Sequence, residues 1–112
     1  MNFYDDINNL VSAFKKTDEY NEYMNLKNEL KNTPETYQML KDFKDKQAEL
    51  QMAYLNGQEV SKEKQQKMEN LYSIVAQNSE CRKILECEMK INVILADLQK
   101  SLGEAVEELV KF

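Results

Sequence analysis

The side chains of this 112-residue chain that could do chemistry are two cysteines, a group of carboxylates and a scatter of tyrosines, and none has a histidine to work with. Cys81 and Cys87 lie six residues apart. On one helix that spacing is about 600° of rotation, which leaves the thiols roughly 120° apart around the axis and about 9 Å apart along it. That exceeds the Cα separation a disulfide spans, so the two do not bridge on an intact helix. Two thiols without histidine also fall short of a four-ligand zinc or cluster site in one subunit. They read as structural thiols, buried or partly buried. Glu86, Glu88, Glu104, Glu107 and Glu108 sit on or beside the last predicted helix, but a carboxylate di-metal bundle also needs Glu-x-x-His motifs. A histidine-based hydrolase triad is equally unavailable. Glu88 interrupts an apolar stripe and reads as a solvent-edge residue. Tyr20, Tyr23, Tyr37, Tyr54 and Tyr72 fall on apolar faces beside Phe3, Phe14, Phe43 and Met24, where aromatic rings serve as core with the hydroxyl at the rim. Met39, Met52, Met68 and Met89 fit core positions too. The expectation is a protein with no catalytic residue, no metal ligand and no cofactor.

The charge balance narrows the partners. Twenty acidic side chains against fifteen basic ones give a net charge of -5, which opposes the counterion-releasing phosphate contacts of nucleic-acid binding. It also opposes adsorption to an anionic membrane. Lys62, Lys64 and Lys67 form the one basic cluster, and Glu59, Glu63 and Glu69 offset it, so it reads as a solvated helix face. A hydrophobic share of 42% is too high for a disordered chain. No apolar run approaches the roughly 20 residues of a membrane span, and the first residues lack a basic and apolar leader. These features predict a cytoplasmic protein that binds neither nucleic acid nor membrane directly.

The elements that must position any site are helices. Two glycines and one proline interrupt the chain, and between them apolar residues recur at threes and fours. Ile7, Leu10, Val11 and Phe14 mark a first helix over about residues 2–16. Thr17 and Asp18 are both good caps for a second, carrying Tyr20, Tyr23, Met24, Leu26 and Leu30 inward after a kink or short turn. Thr33-Pro34 starts a third, with Thr33 as cap and Pro34 where no donor is needed. It runs to Asn56-Gly57, which tolerate the left-handed conformation that closes a helix. Ser61 caps a fourth, with Met68, Leu71, Tyr72 and Val75 inward, and Asn78 or Ser79 caps the last. In that helix Ile84, Glu88, Ile91, Leu95, Leu98, Leu102, Ala105 and Leu109 form one stripe, with Cys87, Ile94, Val106 and Val110 beside it. Ser101-Leu102-Gly103-Glu104 matches a capping box, so the helix either continues or bends there. The fold class is all-α: one domain over residues 1–112, an elongated antiparallel helical bundle with two long helices at about 34–56 and 79–111, shorter helices beside them and no β-sheet.

Length adds an expectation about assembly. An unbroken helix over about 79–111 is roughly 50 Å long, whereas a compact monomer of this size is roughly 35 Å across. The apolar stripe continues to the chain end, so something must cover the overhang. A second copy is the simplest cover, most simply in a dimer, with Ile91, Leu95, Leu98, Leu102 and Leu109 at the interface.

Several stretches together resemble one family. These are Thr17-Asp18-Glu19-Tyr20 with Tyr23, the run Phe43-Lys44-Asp45-Lys46-Gln47-Ala48-Glu49-Leu50-Gln51, then Asn56-Gly57-Gln58-Glu59-Val60, Val75-Ala76-Gln77-Asn78, and Glu86 through Leu98. In this order they are similar to the bacterial YlbF/YmcA family, and within it to the short YheA-like branch. The resemblance implies an all-helical, oligomeric cytoplasmic protein of Gram-positive bacteria. It also implies a regulatory or adaptor role, since better-known relatives are accessory factors in competence, sporulation and biofilm control that act with an RNA-processing endonuclease. Some longer relatives carry cysteines that help hold iron–sulfur clusters. An oligomeric regulator with an intersubunit iron–sulfur or other redox cofactor is therefore the alternative to a non-enzymatic adaptor that binds a protein partner.

Overall fold

The computed structural model describes residues 2–112, and it is all-α, with no strand among the described residues. Helix α1 spans Phe3–Lys15, α2 Asp18–Leu30, α3 Pro34–Leu55, α4 Lys62–Gln77 and α5 Ser79–Val110.

The helix ends follow local chemistry, with some departures from the expected caps. Asn2, which the spacing analysis places inside the first helix, is its cap: Oδ1 accepts from the Tyr4 N–H at 2.8 Å. The break between α1 and α2 is a short turn. Thr17 serves both sides of it, its Oγ1 donating to the Phe14 carbonyl at 2.8 Å and accepting from the Tyr20 N–H at 3.2 Å. Thr33 makes no side-chain cap bond. Its backbone, at φ -122° and ψ 80°, carries the chain into Pro34 at the first helical position, where no donor is needed. Ser61 Oγ accepts from the Lys64 N–H at 3.2 Å, and Asn78 Oδ1 from the Cys81 N–H at 3.0 Å.

The chain divides into two compact units. One is residues 26–84; the other combines residues 1–25 with 85–112. In the first, α3 and α4 fold back on each other as a hairpin, with the Phe43 and Tyr72 rings 5.8 Å apart. Six of the seven buried apolar side chains among the described residues lie in this unit: Leu30, Leu40, Phe43, Val75, Cys81 and Ile84. All six sit toward the end of the hairpin opposite its turn. Tyr54, Met52 and Leu55, near the turn, are exposed, Tyr54 by 78%. The core role expected of Tyr54 and Met52 is therefore not seen within this unit.

The hairpin turn is built on Gly57. Its N–H donates to the Tyr54 carbonyl at 3.1 Å, and the Gln58 N–H donates to the Ala53 carbonyl at 3.0 Å. These paired bonds form a Schellman motif, and they place Gly57 at φ 74°. A Cβ there meets no neighbour within 4 Å, so the obstacle to a larger residue is backbone conformation alone. Gly57→Val is expected to destabilise the protein by roughly 1–2 kcal/mol in chemical denaturation. A neutral result would mean that α3 does not need to end there.

In the second unit, the Cys87 thiol donates to the Glu19 carbonyl oxygen at 3.1 Å. This contact ties α2 to α5 across 68 residues of sequence. Phe14 and Tyr20 meet edge to face, 5.3 Å between centroids. No residue of α1 is buried. Helix α5 is unbroken through Gly103, and at 1.5 Å per residue its 32 residues give about 48 Å. The capping-box pattern goes unused: Ser101 Oγ donates back to the Asp97 carbonyl at 3.1 Å, an ordinary in-helix bond.

Candidate interaction surface

The stripe expected to mediate assembly is continuous on α5 and divides by burial. Ile91, Leu95 and Leu98 are half-buried. Leu102 and Leu109 are exposed by 58% and 75%. Val106 and Val110 are exposed beside them, as is every residue from Gln99 onward. Met89, assigned to the core by its spacing, is also exposed. Helix α1 presents Ile7, Leu10 and Val11 to solvent as well. The spacing analysis found this face without placing it at an interface. Scattered exposed apolar residues need no account, whereas contiguous apolar faces of this kind mark interaction sites.

A second surface lies on the α3–α4 hairpin. A groove of about 480 Å³ has an apolar floor of Leu50, Met68, Leu71 and Ile74. Lys46 from α3 and Lys64 and Lys67 from α4 line it too. Lys64 and Lys67 were read as part of a solvated face. In the fold they join Lys46, 18 residues before Lys64 in sequence, around an apolar floor. Glu49 also lines the groove, and Lys67 pairs with Glu63 at 3.3 Å on the solvent side. Nothing in the linear pattern joins Lys46 to the other two, since only the hairpin brings them together.

The two units also differ in charge. Residues 1–25 and 85–112 carry eleven Asp and Glu against five Lys, a formal charge of -6. Residues 26–84 carry nine acidic against ten basic side chains, a formal charge of +1. The whole chain's acidity therefore resides in the unit that bears the exposed apolar stripe.

The cysteines are free and buried. Burial pushes the Cys81 thiol up, and Glu80 adds to it. Burial also raises Cys87, with Glu22 and Glu19 contributing. Thiols so enclosed are poorly placed to ligate a cluster shared with a second subunit. Among the described residues, no group of three or more His, Cys, Asp or Glu side chains is arranged to hold a metal ion. A buried thiol with a raised pKa stays protonated in the native state while the unfolded one ionises. Stability should therefore be full below about pH 9 and fall as pH rises beyond it. Native protein should alkylate slowly with iodoacetamide at pH 8, and both thiols should react promptly in denaturant. Prompt native labelling would show that the thiols are accessible.

Fold and surface together define a class: a small all-α protein distinguished by uncovered apolar helix faces, with no helix long and apolar enough to cross a membrane among the described residues. The chain belongs to the YlbF/YmcA family, whose model, described as control of competence regulator ComK, matches residues 3–107. Curated relatives carry the name UPF0342 protein. One from Desulfitobacterium hafniense is 36% identical over 98% of this chain and 89% of its own. One from Clostridium tetani is 36% identical over 100% of this chain and 97% of its own. The fold is similar to that of a solved protein of unknown function (DUF964) from Bacillus stearothermophilus, with a TM-score of 0.77 at 15% identity, covering 95% of this chain and 93% of that one. The family is linked to competence regulation and is not a family of enzymes.

Proposed function

We propose that this protein is a non-enzymatic helical adaptor of the cytoplasm that self-associates, most simply as a dimer, and acts by holding a protein partner in a regulatory assembly. One observation carries the reading: the apolar stripe of α5 runs uncovered to the end of a helix about 48 Å long. A family tied to regulation rather than to a reaction is consistent with it. Light scattering at micromolar concentration should give twice the 13.2 kDa chain mass, and a monomer would sink the self-association half. Affinity capture from a Gram-positive host, followed by reconstitution with each purified candidate, tests the partner half. The absence of any stoichiometric partner that rebinds would sink it.

The same reading places RNA, where it occurs in such assemblies, on the partner. The groove lysines number three and sit beside Glu49 and Glu63, too few to outweigh a chain charge of -5 at physiological salt. In a gel-shift assay with generic single-stranded RNA, no submicromolar retention is expected. Retention that weakens steeply with salt would show direct phosphate contact and replace the adaptor reading.

A further inference from the structure

The turn that joins α3 to α4 carries a reactive pair of residues in a geometry that keeps their reacting atoms apart. Asn56 is the one asparagine of the chain that is followed by glycine. Both residues are exposed. Gly57 has no side chain to shield its backbone nitrogen. The Asn56 side-chain carbonyl carbon is at the right remove along the chain to close a five-membered ring with that nitrogen. We propose that Asn56 is a site of spontaneous deamidation, gated by closure of the hairpin turn.

The chemistry needs only water and hydroxide. Hydroxide takes the proton of the Gly57 N–H, and the nitrogen attacks Asn56 Cγ. A bond forms between that nitrogen and Cγ. The bond from Cγ to Nδ2 breaks, and Nδ2 leaves as ammonia with a proton from water. The cyclic imide then adds water at one of its two carbonyls. Release of the nitrogen from Cγ gives aspartate at position 56. Release from the main-chain carbonyl carbon gives isoaspartate, whose main chain runs through Cβ and Cγ. Overall one water is consumed, one ammonia leaves, and nothing is oxidised or reduced.

Two features of the closed turn oppose the first step. The Gly57 N–H donates to the Tyr54 carbonyl at 3.1 Å, which holds the proton in place and aims the nitrogen back at α3. Asn56 also has ψ 7°. At that angle the Gly57 nitrogen eclipses the nitrogen of Asn56 about the Cα–C bond, so it stands about a third of a turn away from Cβ. Ring closure needs it beside Cβ. Rotating ψ that far carries Gly57 away from Tyr54 and breaks the Schellman pair of bonds, so the reaction waits on local opening of the turn. Asn78 offers a contrast. Its Oδ1 accepts from the Cys81 N–H, and the residue after it, Ser79, has a side chain that crowds the attacking nitrogen.

The products work against reclosure. Isoaspartate adds an atom to the main chain and shifts the Gly57 and Gln58 N–H groups out of register with the Tyr54 and Ala53 carbonyls. Either product puts a carboxylate at the C-terminus of α3, where the helix dipole is negative, and the last turn of α3 has no basic residue to offset it. A transient opening of the hairpin thus becomes a permanent mark on it.

The test incubates the native chain and the guanidinium-unfolded chain side by side at mildly alkaline pH, followed by tryptic mapping. Cleavage after Lys46 and Lys62 releases a peptide, 47–62, with no asparagine besides Asn56. Its amide-to-acid mass change reports the reaction, and isoaspartyl methyltransferase reports the isoaspartate. In the unfolded chain Asn56 should convert before any other asparagine. In the native chain it should convert at least about tenfold more slowly, because only the opened fraction reacts. Low concentrations of denaturant should speed this conversion and hydrogen exchange at the Gly57 amide by the same factor. Asn56→Gln, which enlarges the ring to be closed, should keep the helix content and abolish the change. Equal rates in native and unfolded chains would show that the turn is no gate. Earlier conversion at Asn78 in the unfolded chain, or none at Asn56, would remove the site. A native rate that falls as protein concentration rises would assign the protection to a second copy. Each of these three results overturns the inference.

Discussion

Leu102→Asp should convert the assembled protein to monomer without unfolding it. Leu102 is more than half exposed in the single chain and lies in a helix whose backbone bonds do not depend on it, so the isolated fold loses little. In the proposed dimer the same position is buried, and an uncompensated carboxylate there would cost several kcal/mol. A loss of about 3 kcal/mol is more than a hundredfold in dissociation constant. Sedimentation or light scattering across a concentration series measures it, with Lys100→Asp on the polar side of the same helix as a control. Equal and small effects for both substitutions would remove α5 from the interface.

Ile84→Ala should produce the largest loss of stability of any truncation on α5. Ile84 is 2% exposed and lies near the start of the helix, in the unit that holds most of the buried side chains. Shortening a fully buried isoleucine to alanine costs about 2–5 kcal/mol in lost transfer energy and residual cavity. That is a large part of the stability of an ordinary domain of 5–15 kcal/mol. Urea denaturation should show the shift, with variant and wild type compared at equal protein concentration because assembly contributes to apparent stability. Leu109→Ala, whose side chain is exposed, should cost far less under conditions where the chain is monomeric. Similar losses at the two positions would mean that the buried cluster does not carry the fold.

The sequence was most legible where one residue's own chemistry decides the structure. Gly57 is the clearest case, since a left-handed residue at a helix end nearly requires glycine or asparagine. Ser61 and Asn78 declared their helices in the same way. Local signals misled where two were equally good. Ser101 and Glu104 match a cap, yet helix continuation satisfies the same backbone groups through i→i−4 bonds, and Ser101 simply bonds back to Asp97. Thr33 looked like a cap because its type is right, yet its side chain makes no cap bond. Apolar spacing identified the faces of α1, α3 and α5 but not what covers them. Tyr54, Met52 and Met89 look the same in sequence whether their partner is the same chain or another molecule. Least visible were the groove and the division of charge. Lys46 meets Lys64 and Lys67 only through the hairpin, and the acidic unit is assembled from both ends of the chain, so no contiguous window reveals its charge.

That assembly from both ends bears on synthesis. Residues 26–84 form a contiguous unit whose hairpin contacts are local, so it has the material to fold while the ribosome is still adding α5. The other unit does not. Its α1 emerges first with an amphipathic face, and its α2 waits for Cys87 to supply the thiol that meets Glu19. A nascent chain stalled before residue 85 should therefore present a protease-resistant middle and a cleavable amino-terminal arm, with α1 the segment most open to capture by chaperones.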